Sequence, residues 1–352
     1  TTRSDVFSLG SGNTYYVSTS GNNNASGSIS NPWRTIQHAL DVVHAGDTVY
    51  IRGGTYHEVL TMKTSGTAGN YITIINYPSE TPVIDFDNAS IGVTWDDISY
   101  IRLHGLTVQN AANECFSLTG DSNYNVFEYL TVQDFGYKNP DAGIVMYNGP
   151  GYNLVQHNTF TTGRNSYEDE LHRAGGICMY ETNGEGNVIR YNTFYGTNGG
   201  VPVTDTSQSG MGDGIGGGNN FGIEDGPYKD SDIYGNTFGP TADESIECEA
   251  GNINVRVWNN YCSNGYSGIS GASVTVGPRY VFRNVIWGCI PGYAVTWKSG
   301  VDSDGYEYFY HNTVYVAPAV GDHGVGWGES EPYLKNIVSK NNIIQVRHRV
   351  FD

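Results

Sequence analysis

The stretch ADESIECEAGNINVRVWNNYC, residues 242–262, places Asp243, Glu244, Glu247 and Glu249 within seven positions, directly before a β-branched run. Acidic side chains are poor strand formers and crowded carboxylates repel one another, so the cluster carries a cost that calls for a purpose. Two chemistries use carboxylates at this density. In the first, crowding drives their pKa values apart. A protonated carboxyl then gives its proton to a leaving oxygen, while an ionised one activates water or attacks carbon. In the second, the oxygens hold a hard cation such as Ca²⁺. A solvated acidic face on an acidic protein is the bland alternative.

Charge narrows the partners. The 352 residues carry 18 Lys and Arg against 36 Asp and Glu, a formal net charge of −18. Nucleic acid and anionic membranes need a basic face, and the chain has no run of about twenty apolar residues to span a bilayer. With 47 Gly and 27 Tyr and only 15% charged residues, the composition is that of a turn-rich β protein with an aromatic surface. The polar opening TTRSDVFSLG reads as a mature end left by processing, which predicts a secreted protein. Cys115, Cys178, Cys248, Cys262 and Cys289 lack zinc-site spacing and read as small buried thiols, with one disulfide possible in an odd set. Asn24 and Asn88 each open a glycosylation sequon.

The elements that must position the acids are written in a repeat. Two or three alternating strand residues, one polar residue and then Asn recur as LVQHNTF at Asn158, VIRYNTF at Asn192, DIYGNTF at Asn236 and VRVWNNY at Asn260. The pattern continues as YVFRNVI at Asn284, YFYHNTV at Asn312 and IVSKNNI at Asn342, with YIRLHGLTV and VFEYLTV as earlier versions without the Asn. From Asn236 onward the intervals are 24, 24, 28 and 30 residues. A period of this size marks a solenoid, and short β runs exclude helical repeats. The recurring Asn predicts a ladder of side-chain amides up the stack. The expected fold is all-β, a right-handed parallel β-helix of roughly nine or ten coils forming one domain over 1–352. His157 and His311 precede the turn Asn and read as structural.

At the start, TYYVSTSGNNNASGSISNPWRTIQHALDVVHAGDTVYIRGGTYHE gives a strand, a loop, one amphipathic helix near residues 35–43 and a further strand. His38 and His44 lie in or just after that helix, which would cap the open end of the solenoid. Residues 14–86 here resemble the N-terminal module shared by many β-helix carbohydrate-active proteins, including pectate-lyase-like ones. Residues 87–352 would supply the central and C-terminal coils.

The earlier strand of each coil aligns on Phe116, Ile144, Ile177, Ile223, Ile246, Ile269, Val295 and Val325 as buried references. Alternation sends positions +1 and +3 outward. The +1 row then reads Ser117, Val145, Cys178, Glu224, Glu247, Ser270, Thr296, and the +3 row Thr119, Tyr147, Tyr180, Gly226, Glu249, Ala272, Lys298. With coils about 4.8 Å apart, Glu224, Glu247 and Glu249 are expected on one exposed face, flanked by Tyr147 and Tyr180 on one side and Lys298 on the other. Two long inserts, about residues 161–176 and 199–220, would wall a groove beside them, and the first carries His172 and Arg173. Polar, glycine-rich walls beside tyrosines predict an oligosaccharide or polysaccharide cleft on a monomer.

Residues 211–300 resemble polygalacturonase-type glycoside hydrolases. GDGI at Asp213, DESI at Asp243 and Glu244, CSNGYSGIS around Tyr266 and VTWKSG at Lys298 follow that family's order, with Tyr266 where its His stands and Thr296 where its Arg stands. The resemblance implies a hydrolase that needs no cofactor, with Asp213, Asp243 and Glu244 as candidate catalytic acids; the strand-borne Glu224, Glu247 and Glu249 compete with them for that role. Tyr147, Tyr180, His172, Arg173, Tyr266 and Lys298 are the candidate substrate contacts. Glu-x-Glu on one strand resembles the calcium ligands of some alginate and chondroitin lyases. The rival expectation is therefore a Ca²⁺-dependent lyase acting on a uronate-containing glycan, with Glu224, Asp225, Glu247 and Glu249 as ligands. A non-catalytic glycan-binding or surface-structural β-helix is the third.

Overall fold

The computed structural model describes residues 10–136, 142–162, 174–181, 184–198, 201–202, 211–217, 223, 226–249, 251–272, 274–289, 294–298, 304–316, 323–327, 336–345 and 349–351. One turn of the spiral reads Ile101–His104, Thr107–Ala111, Glu114–Thr119. Its three strands enter three different sheets, and the next turn, beginning at Val126–Glu128, lays each new strand parallel to its predecessor. Among the described residues the first and second sheets each hold twelve strands and the third holds eleven, in unbroken sequence order. This is a parallel β-helix. Twelve strands exceed the nine or ten coils counted from the Asn turns, because Thr14–Val17, Thr48–Ile51 and Ile72–Asn76 in the N-terminal module already belong to the first sheet.

Like residues stack inside. Phe160, Phe194 and Phe238 lie one above another on the second sheet with ring centroids 4.8 Å apart. All three are fully buried, each contributing about 2 kcal/mol of apolar transfer. The cap helix spans Ile36–Val42, with the Thr35 hydroxyl accepting from the His38 amide. The Glu58 carboxylate accepts from the amides of Ile36 and Gln37 at 2.9 Å each, satisfying the two donors that precede His38 in the first turn. Ile36, Ala39 and Leu40 close the end of the core.

The repeated Asn forms the predicted ladder. The side-chain oxygens of Asn192, Asn236, Asn260, Asn284, Asn312 and Asn342 each accept from the backbone amide and the side-chain amide of the Asn one coil earlier, at 2.8–3.2 Å. The residue before each ladder Asn has positive φ: His157, Tyr191, Gly235, Asn259, Arg283, His311 and Asn341 lie between 55° and 66°. Each coil therefore turns through a left-handed residue that delivers the Asn inward. All five cysteines are buried and free. Burial pushes the Cys248 and Cys289 thiols up to about 12.

The interior also holds a charged pair. Arg279 and Glu307 occupy the inward row of the first sheet, where Val255 precedes them and Ile337 follows. The fully buried guanidinium pairs with Glu307 and donates to the Cys248 carbonyl, and the Trp297 indole donates to Glu307 at 3.0 Å. Gly271 leaves the space that this guanidinium fills.

Candidate active site

The carboxylates gather on the outside of the third sheet. Its strands Ile215–Gly217, Glu244–Glu247, Ser267–Ala272 and Val295–Lys298 run side by side, with Ile215, Ile246, Ile269 and Val295 in one inward row. Asp213 lies two residues before the first of these strands. Its backbone carbonyl accepts from Gly176 N at 2.9 Å, and its side-chain oxygen accepts from Glu244 N at 3.0 Å. Asp243 lies just before the next strand and Glu244 opens it, with the Asp243 carbonyl accepting from Thr241 Oγ1 at 3.1 Å and Ser267 N at 3.2 Å. Ladder bonds thus fix three acids that strand propensity disfavours. Carboxylate oxygens of Asp213, Asp243 and Glu244 lie within 4.8 Å of one another; Asp243 is exposed and Glu244 buried.

Glu247 leans back over the preceding coil, where its Oε2 accepts from Gly217 N at 3.2 Å. Gly216 permits this: a Cβ there would lie 2.9 Å from Glu247 Oε2 and 3.2 Å from Asp213 Cβ. Glu247 and Asp213 consequently border the same small space. On the coil beyond, Ser267 Oγ and Thr296 Oγ1 share a hydrogen bond of 3.0 Å. On the other side, Ala142, Val145 and Cys178 form a separate apolar patch outside the solenoid, with Tyr180 packed on it. Tyr147 and Tyr180 are register partners with ring centroids 5.7 Å apart, so the tyrosine flank stands where alternation predicts it. Tyr266 is exposed just before Ser267.

Three expectations need correction. Ile177 pairs with Ile215 and Ile215 with Ile246, so Ile215, not Ile223, is the inward reference of its coil. The long glycine-rich interval holds both isoleucines, and the exposed Ile223 has no place in the core. The +1 position beside Glu247 is therefore Gly216, which removes the basis for placing Glu224 and Asp225 on this face; both lie outside the described residues. Glu249 is not on the exposed face either. It is 3% exposed and accepts from Ser270 Oγ, because the strand ends at Glu247 and the chain turns in toward the Arg279–Glu307 pair. The oxygens that come together are consequently those of Asp213, Asp243 and Glu244, and not a set built on Glu224, Asp225, Glu247 and Glu249. Lys298 ends its strand in register with Ala272, its side chain outside the described residues, as are His172 and Arg173. Gly216 and Ser267 are site residues that sequence reasoning missed, since small residues carry no signal of their own, whereas Thr296 was already on the outward row.

The trio suits a hard cation. Oxygens bound to one Ca²⁺ at about 2.3–2.6 Å lie at most about 5 Å from each other, and an all-carboxylate set is what such an ion prefers. His57, Asp85 and Asp87 form a second group with metal-capable atoms. There, Asp85 Oδ2 accepts from Gln109 and Asn110 at 2.7 Å each, and His57 Nδ1 pairs with Asp87 at 2.8 Å.

Residues 15–198, just over half of the chain, match the family described as Pel9A-like, right-handed β-helix region, and the chain belongs to that family. It is 28% identical over 192 residues to the pectate lyase PEL9 of Emericella nidulans, covering 50% of this chain and 45% of the relative. It is 41% identical over 109 residues to the uncharacterized protein YwoF of Bacillus subtilis, covering 29% and 23%. The chain thus spans less than half the length of either curated relative. Among solved structures, the GH136 lacto-N-biosidase of Eubacterium ramulus superposes with a TM-score of 0.59 at 14% identity, covering 95% of this chain and 68% of that one. The pectate lyase Pel9A gives 0.50 at 17% identity, covering 95% and 80%. These likenesses show the fold. The family match ends at residue 198, before the acid trio begins. Among the described residues no helix is long and apolar enough to cross a membrane.

Proposed function

We propose that the chain is the β-helix of an extracellular polysaccharide lyase that cuts a uronate-containing glycan by β-elimination, with Asp213, Asp243 and Glu244 holding Ca²⁺. The observation that carries this reading is the approach of the three carboxylates to within 4.8 Å of one another. A catalytic acid pair needs two carboxyls, whereas three carboxylate oxygens this close together are what a shared cation would use, which supports the calcium reading. The relative that matches half of this chain is itself a pectate lyase, which supports the same reading. Charge agrees, since a polyuronate reaching a face this acidic needs a cation between like charges.

When bound, Ca²⁺ would neutralise the uronate carboxylate and acidify the proton on the carbon beside it. Asp213 and Glu244 orient the ligand oxygens through the backbone that holds them. Tyr147 and Tyr180, with the apolar patch under them, offer a surface for the apolar face of a neighbouring sugar. The base takes that proton, the C–H electron pair becomes a carbon–carbon double bond, and the glycosidic oxygen leaves from the next carbon with its bonding pair. Lys298, on the same sheet two strands beyond Glu247, is the residue proposed as base.

A hydrolase remains the second reading, favoured by the position of Glu247 beside Asp213, which supplies a carboxyl pair. One experiment separates them: digestion of a polysaccharide panel with and without EDTA, reading reducing ends together with ultraviolet absorbance of the new double bond. Absorbance abolished by EDTA and by Asp243→Asn is the expected result. Reducing ends without absorbance, indifferent to EDTA, would overturn the lyase and establish hydrolysis.

A further inference from the structure

The outer face of the second sheet carries chemistry that the acid trio does not use. From Thr159 onward its strands are Thr159–Thr162, Thr193–Asn198, Thr237–Phe238, Tyr261–Ser263, Val285–Trp287, Thr313–Tyr315 and Ile343–Gln345. None contains a charged residue, in a chain whose formal net charge is −18. One outward row reads Thr159, Thr193, Thr237, Tyr261, Val285, Thr313, Ile343. The parallel row holds Ser263, Trp287, Tyr315 and Gln345 in adjacent strands.

Trp287 stacks on Tyr315 with ring centroids 4.1 Å apart and planes at 24°. Its other face looks across the neighbouring coil at Ser263, a small residue whose hydroxyl is turned away to the Phe238 carbonyl at 2.9 Å. The indole is 46% exposed and Tyr261, in the next row, is 42% exposed. In the core, Phe194 is covered on both faces by Phe160 and Phe238. Here the ladder stops at a serine and leaves an indole face open.

We propose that this face is a second, non-catalytic glycan-docking surface that takes an uncharged polysaccharide chain against Trp287 and Tyr261. A sugar ring has an apolar C–H face for the open indole and hydroxyls for the threonine row, and both are present side by side here. Nucleic acids and anionic lipids would need cations, which these strands lack. A polyuronate gains nothing from a neutral face and is repelled by the rest of the chain. The surface lies on a different sheet from the acid trio, and docking does not depend on the reaction proposed there.

The test is retention of the full chain by insoluble cellulose, xylan and mannan, with polygalacturonate as the charged control, all in EDTA. At least one neutral polymer is expected to retain the protein. Trp287→Ala should weaken that retention about tenfold or more, and Trp287→Phe should largely preserve it. Ser263→Tyr, which covers the open indole face without removing any ring, should weaken it as much as Trp287→Ala. Asp243→Asn should leave retention unchanged, so failure of the catalytic reading and failure of this one are distinguishable. Retention by polygalacturonate alone, by no polymer, or equally by parent and Ser263→Tyr would overturn the proposal. Self-association abolished by Trp287→Ala, without retention, would assign the face to a second copy of the chain and overturn it as well.

Discussion

Asp213, Asp243 and Glu244 repel one another at neutral pH unless a cation lies between them. If the trio holds calcium, the parent chain should melt higher with calcium than in EDTA; Glu244→Gln is then predicted to raise the melting temperature in EDTA and to abolish that calcium-dependent rise. A ligand at a hundred times its Kd stabilises by about 2.7 kcal/mol, which calorimetry with and without calcium resolves. A parent chain whose melting is indifferent to calcium would count against the coordination set. On the first sheet, burial works to raise the Glu128 carboxyl, and hydrogen bonds from His104 and Gln156 with the Arg102 charge outweigh it, holding the group at about 2 against an ordinary 4.5. A lowered folded-state value means stability that is full above pH 4.5 and lost as pH falls from there toward 2. The loss should reach about 3 kcal/mol, and Glu128→Gln should remove that part of the acid slope in urea titrations at stepped pH. Of the acids, Asp243, Glu244 and Glu247 were legible because they crowd one short stretch. Asp213 was visible only through its place in a family-like order. Glu249 misled because alternation was extended past the end of its strand, and Glu224 because two isoleucines competed for one inward position.

The ladder asparagines were legible as elements because one residue type recurs at one turn. The left-handed residue before each was not, since His, Tyr, Gly, Asn and Arg all fill it. A second ladder, Asn125 to Asn153 to Asn187, went unseen because three members make no period. The ladder amides from Asn158 to Asn312 are buried, and each serves its neighbours. Asn236 accepts from Asn192 N at 2.9 Å and donates to the Ile189 carbonyl and to Asn260 Oδ1 at 3.0 Å each. Asn236→Ala leaves the first two groups unpaired inside the turn, at about 1–3 kcal/mol apiece. Urea unfolding should show a loss of about 2–5 kcal/mol; a loss well under 1 kcal/mol would mean that water replaces the amide.

Over the whole molecule, the spiral makes the solenoid stable and also repetitive. Rungs of similar length carry similar side chains in each inward row, so a chain that threads one rung out of step keeps most of its apolar contacts. The Arg279–Glu307 pair breaks that degeneracy. A slip of one rung would set Arg279 against Ile337 in place of Glu307, leaving a guanidinium uncompensated in an apolar interior at a cost of several kcal/mol. Glu307→Leu alone is accordingly predicted to lose about 3–5 kcal/mol, while Arg279→Leu with Glu307→Leu should stay near parental stability. The double variant should nonetheless refold to a mixture, seen as a fraction of chains without the calcium-dependent rise in melting temperature. Complete recovery of that rise after refolding would rule this role out. In a fold that otherwise counts by repetition, one charged pair gives the chain a fixed point from which misthreaded copies can be told apart and discarded.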